Sequence, residues 1–330
     1  MKIASMTTIL MTLLWLISPL PANAISTAAN MPAATIGAGA VTGVYFNTGQ
    51  AIKKTLKRNA GELDIKIVVK ATQGSVETLE AVESGRFYFG FVQSDLQYKA
   101  WHGVTGTPWA GRPQKHLRAV FGLYTEAINL VVQNNQKIAS LQDLVSKRVN
   151  LGQPGSGQYI NAKELLEAFG IHPRNSLSVV TASPVDTLRL FERNEIDAFF
   201  FTAGHPAGQF YEVAAGKRKG RFVALTDLED LLQKYPYYSR TSIPIHYYPG
   251  IGNDQDVATI GVKATLIASD GAPDRMVYEI TKAVFENLDY FKTQLLVFRS
   301  MNREEMLEHL SAPIHPGALK YYREVGLDRP

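Results

Sequence analysis

The chain has 330 residues, no cysteine, and 34 lysines and arginines against 30 aspartates and glutamates, a formal charge of +4. Without a thiol, disulfides, thiolate nucleophiles and cysteine-held metals are excluded. Acids and bases are interleaved, so the charge leaves no footprint for nucleic acid. The densest basic cluster, Lys217 to Lys219 with Arg221, is flanked by Gly216 and Gly220 and reads as a solvated loop.

The start reads as a secretory signal peptide: Lys2, an apolar run from Ile9 to Ile17, Pro19 and Pro21, then Ala22-Asn23-Ala24 in the form of an A-x-A cleavage site. That run is short for a bilayer span. The expected mature chain begins at Ile25 and is periplasmic, and loss of Lys2 reduces the formal +4 to +3. Residues 25–32 read as a leader.

Thr35 to Ile52 reads as a short strand running through a glycine-rich turn, Gly37, Gly39 and Gly43, into a helix with Val44, Ile52 and Leu56 inward. Free N–H groups at such a helix start favour an anion. The same strand, small-residue loop and helix recur three times. Ile65 to Ala71 alternates as a strand before Thr72-Gln73-Gly74-Ser75, with Ser75 as the expected cap. Phe87 to Val92 leads to Gln93 and Ser94, where Ser94 and Gln97 have capping-box spacing. Val149 to Leu151 leads to Gln153-Pro154-Gly155-Ser156-Gly157 and a helix that Gly170 stops.

Between these units, Leu117 to Leu123 and Ile128 to Val132 read as two strands joined by a hinge at Tyr124 to Ala127. Ser140 and Asp143 have capping-box spacing, Ser183-Pro184 starts a helix with proline at its first position, and Ile196 to Phe201 is a buried strand before Gly204-His205-Pro206. Tyr235 to Tyr248 reads as irregular. Val257 to Ile267 reads as a strand returning to the first half, and two or three amphipathic helices follow Pro273.

This alternation predicts an α/β protein of two doubly wound domains with a ligand cleft between them and a double-crossover hinge, like a type II periplasmic binding protein. The expected division is a signal peptide at 1–24, a discontinuous domain I at 25–125 plus 260–330, and domain II at 126–259. Loop glycines, hydroxyls and amides can hold a carboxylate without arginine. The candidate ligand-binding residues are Thr42, Gly43, Tyr45, Thr72, Ser75, Gln93 and Ser94 from one domain and Gly155, Ser156 and Gly204 from the other. Glu126 reads as an ammonium partner or a hinge pin, and Asp95 as an ammonium partner or a complement to a helix dipole.

In order and at plausible spacing, Gly37 through Gly49, Thr72 to Val76, Phe91 to Asp95, Arg148 to Gly157, Ile196 to Phe200, Gly204 to Pro206 and Ala312 to Ala318 resemble a TRAP-transporter solute-binding protein of the TAXI type. The resemblance implies a non-enzymatic receptor, expected as a monomer, for a small organic anion such as glutamate or 2-oxoglutarate. It would deliver that ligand to TRAP membrane permease subunits driven by an ion gradient. Tyr45-Phe46-Asn47, Gln73 and Thr125 to Ala127 depart from the usual family pattern. The alternatives from the residues are an ABC importer's receptor or another ligand-sensing domain.

Enzyme readings find little support. Gly43 falls one residue late for G-x-G-x-x-G, and Gly155-Ser156-Gly157 lacks the G-x-S-x-G elbow. The histidines are scattered, so neither a metal nor a cofactor is expected.

Overall fold

The computed structural model describes residues 33–58 and 65–328; the expected signal peptide and the expected leader to Pro32 lie outside the described residues. From the first strand onward the chain alternates. In order it forms β1 (Ala34–Gly37), α1 (Val44–Arg58), β2 (Ile67–Lys70), α2 (Ser75–Glu83), β3 (Phe89–Gln93) and α3 (Ser94–His102). The parallel order β2-β1-β3 puts the three strand ends that open into α1, α2 and α3 on one edge.

A long strand, β4 (Leu117–Gln133), then leaves this group. After it come β5 (Arg148–Asn150), α4 (Gly157–Ala168), α5 (Pro173–Ser176), β6 (Ser178–Val180), α6 (Pro184–Glu192), β7 (Ala198–Ala203) and α7 (Gly208–Ala215). They are followed by β8 (Gly220–Val223), α8 (Glu229–Lys234) and β9 (Ser239–Ile243). The second long strand, β10 (Val257–Ser269), returns, and α9 (Asp274–Glu286), α10 (Leu288–Lys292) and α11 (Pro316–Glu324) complete the fold. The expected separate strands at Leu117 to Leu123 and Ile128 to Val132 are one. Backbone pairing to β10 carries β4 straight through Thr125 to Ala127.

The sheet order is β2-β1-β3-β10-β4-β7-β5-β6, with β8 on β4 and β9 on β10. The two long strands join two groups. β10 pairs β3 through Ala264–Ala268 and β9 through Val257–Gly261. β4 pairs β10 through its first part and β7 from Ala127 onward. Glu126 thus sits on β4 where its partners change. The chain passes between the groups twice, at β4 and at β10.

Apolar faces explain the helices. α9 buries Met276, Val277, Ile280, Val284 and Phe285, each such side chain contributing roughly 1.5–3 kcal/mol. On the far group, Leu165 and Leu166 of α4 pack with Val149, Leu151 and Phe200. Two local readings change. The piece from Tyr235 to Tyr248 contains β9, whose polar side chains are half exposed and whose order comes from the β10 ladder. The Ser94 capping box does not form, because its hydroxyl accepts the Lys263 N–H at 3.0 Å.

Candidate functional site

Four βα junctions meet around one cavity of about 640 Å³. At the first, Gly39 adopts a left-handed φ of 60° that glycine reaches without strain. This brings its N–H onto the Thr72 hydroxyl at 3.0 Å, while the Thr72 N–H donates to the Gly39 carbonyl at 2.9 Å. The loops before α1 and α2 are therefore locked together. At the second, Ser75 is the first helical residue, not the cap expected of it. The cap position belongs to Gly74, and the Ser75 hydroxyl accepts the Gln93 N–H at 3.3 Å.

At the third, Ser156 caps α4, its hydroxyl accepting the Tyr159 N–H at 3.2 Å. The fourth opens α7 after His205-Pro206, where the Tyr248 hydroxyl accepts the Ala207 N–H at 2.9 Å. The start of α6 joins them, with Pro184 at its first position and Ser183 as its cap.

The two strand groups touch at the cavity floor. A Cβ added to Gly157 would stand 1.7 Å from Gln93 Oε1, and one on Gly74 would be 3.4 Å from the Ser156 Cα. From there α3 and α4 run side by side. Asn161 donates to Asp95 at 2.8 Å, and one turn further Lys99 reaches both Asp95 at 3.1 Å and Glu164 at 2.8 Å. The hydroxyls of Tyr237 and Tyr238 also donate to Glu164. Burial raises the Asp95 carboxyl against the lowering effect of Lys99. Asp95 is behind the cavity wall, partnered within the protein.

Glu126 does line the cavity, and it accepts a short hydrogen bond from the Tyr45 hydroxyl. Burial is the main cause that pushes its carboxyl up to about 8, with Asp95 adding to the rise and the Tyr45 bond opposing it. At neutral pH the folded protein holds Glu126 largely as the uncharged acid. Burial, and after it Glu126, raises the Tyr45 phenol. No lysine, arginine or histidine lines the cavity among the described residues. An anion there meets backbone N–H groups, helix starts and neutral side chains.

Of the candidates, Thr42, Gly43, Tyr45 and Thr72 line the cavity, as do Ser75, Gln93 and Ser156. Three do not. Ser94 is fully buried against Lys263, Gly155 lies in the loop outside the lining, and Gly204 is pressed between Tyr124 and Val297, where a Cβ would come within 2.6 Å of both. Missed at the wall are Phe201, Thr202, Gln209, Tyr211 and the segment Leu295 to Val297. A small-residue loop before α7 signalled the first four; nothing local signals the last segment.

A family model matches residues 36–326 and is described as the NMT1-like family. The chain belongs to the NMT1-like family. Among solved structures it is similar to the periplasmic aliphatic sulphonate binding protein of Escherichia coli, at 16% identity over 89% of this chain and 84% of that one, with a TM-score of 0.47. It is also similar to a putative L-cystine ABC transporter protein of Listeria monocytogenes, at 13% identity over 84% and 99%, TM-score 0.49. A third is an ancestral arginine-binding protein bound to arginine, at 14% over 81% and 96%, TM-score 0.48. The mixed α/β fold of periplasmic-binding-protein type expected from the alternating strands and helices is the one that the sheet order shows.

Proposed function

We propose that this member of the NMT1-like family is a non-enzymatic periplasmic receptor that captures a small organic anion in the cavity and hands it to a membrane permease. The observation that carries this reading is the meeting of the starts of α1, α2, α4 and α7, drawn from both strand groups, around a cavity with no basic side chain among the described residues. Hydrogen bonds to a charged group contribute about 1.5–3 kcal/mol each and a helix start about 0.3–1. A few of each, less the cost of ordering, supply the roughly 8 kcal/mol of micromolar binding.

The division into 25–125 plus 260–330 and 126–259 belongs to the same proposal. The two parts close on the ligand by flexing where β4 and β10 pass between the strand groups, and ligand shifts that equilibrium by its preference for the closed form. The sequence resemblance supports a TAXI-type TRAP permease as partner.

Thermal melting of residues 25–330 against amino acids, keto acids and other carboxylates tests the receptor. An acid at a hundred times its dissociation constant adds about 2.7 kcal/mol, a shift of several degrees. If no organic acid raises the midpoint, the reading fails. Uptake by membrane vesicles from the source cell, with this receptor added, then tests the partner: drive by an ion gradient supports the TRAP reading, and a requirement for ATP supports the ABC importer instead.

A further inference from the structure

This inference rests on the receptor reading and narrows its ligand. At about 640 Å³, the cavity holds on the order of twenty times one water's share of the liquid volume. In the cavity as it stands before closure, glutamate or 2-oxoglutarate, each with about ten heavy atoms that displace at most about one water apiece, fills no more than about half.

Beside the polar side chains of Asn47, Gln73, Gln153, Gln158 and Gln209, part of the wall is apolar. Phe201, Tyr211 and the segment Leu295 to Val297 line it. Seven large apolar side chains stand out as exposed among the described residues. Of these, Leu296 and Tyr211 line the cavity, and Val41 and Val185 adjoin the lining residues Thr42 and Pro184. Exposed apolar surface of this kind, Leu296 with Tyr211, at the opening of a cavity marks a binding site. Polar capacity is also left over. Thr202 is 9% exposed and Gln93 4%; both line the cavity, and Thr202 Oγ1 and Gln93 Oε1 have no hydrogen-bond partner among the described residues.

We propose that the ligand is a monocarboxylic acid with an aromatic or branched aliphatic body. Its carboxylate meets the helix starts and the Thr202 hydroxyl, and its body lies against Phe201, Tyr211 and Leu296. A second carboxylate on a short acid finds no basic side chain among the described residues and leaves the apolar part of the wall uncovered. The pairing of a few polar anchors with a mostly apolar wall is the general design of small-molecule sites.

The test is calorimetric titration of the full chain with 3-phenylpropionate, 4-methylpentanoate, glutamate and 2-oxoglutarate, with 3-phenylpropanamide as the uncharged counterpart. The expected result is that an apolar monocarboxylate binds at least tenfold tighter than glutamate, 2-oxoglutarate and the amide. Leu296→Asp, at a side chain already 44% exposed, should leave the unliganded melting point unchanged and weaken the apolar acid about tenfold or more. Tighter binding of glutamate or 2-oxoglutarate than of both apolar acids overturns this ligand class and leaves the receptor standing. Equal binding of the amide removes the carboxylate from the proposal, and unchanged affinity in Leu296→Asp removes the apolar wall. Binding by none of these acids overturns this ligand class, and the receptor reading falls with it only if the wider panel of acids also leaves the melting midpoint unchanged.

Discussion

The Tyr45 hydroxyl donates to the Glu126 carboxyl, tying the first turn of α1 to the point on β4 where the strand changes partners. This links a cavity wall to the strand that joins the two groups. Burial pushes the same carboxyl up to about 8 against the opposing effect of the Tyr45 bond.

A carboxyl raised on folding stabilises the native state fully below its unfolded value, near 4.3, and the benefit is lost as pH rises through about 8. Glu126→Gln keeps an acceptor for Tyr45 and removes the titration. Its stability relative to the parent, from urea melts at pH 5 to 9, should therefore rise with pH by on the order of a few kcal/mol and level off above about 8. Ligand affinity of the parent should fall over the same upper range and that of the variant should not. Parallel stability curves would contradict this.

His205 works in the opposite direction. It lies between Tyr248 and Asn129, at 2.6 Å and 3.0 Å, and burial lowers it to about 4. Its contribution is present above the unfolded value near 6.5 and lost as pH falls toward about 4. Differential melts of His205→Gln and the parent between pH 7 and pH 4 should show the parent losing its advantage.

Lys99 is 1% exposed and serves two carboxylates, Asp95 on its own helix and Glu164 on α4. Lys99→Met leaves both without a cation and should cost about 3–5 kcal/mol in urea unfolding. Adding Glu164→Gln should restore part of that loss. A single variant within 1 kcal/mol of the parent, on the scale of a surface pair, would show that the cluster is not held as described.

Gly157 touches Gln93 across the cavity floor. Gly157→Ala must displace the Gln93 side chain or part the two elements, so calorimetry should show weaker ligand binding by about tenfold. Gly208→Ala, where a Cβ meets nothing within 4 Å, should retain the parent's affinity within a factor of about two.

What sequence made legible was local. The glycines before α1, the Ser156 cap and the Ser183-Pro184 start are each decided by a few neighbouring residues, and each stands where its chemistry predicts. Ser94 was unreadable because its hydroxyl bonds the Lys263 backbone, 169 residues away, in preference to its own helix. β9 was hidden because its order comes from β10, not from its half-exposed side chains. Leu295 to Val297 reaches the cavity only through the packing of the C-terminal helices, and Gly204 is small for Tyr124 and Val297, not for a ligand.

The most direct test uses Gly208, which lines the cavity at the start of α7 and has open space where a side chain would begin. The tightest-binding acid is titrated into the parent and into Gly208→Trp. One ligand per chain in the parent, and affinity reduced at least a hundredfold in a variant that melts at the parent's unliganded temperature, is the predicted result. Undiminished binding in the blocked variant would place the ligand elsewhere and contradict the account.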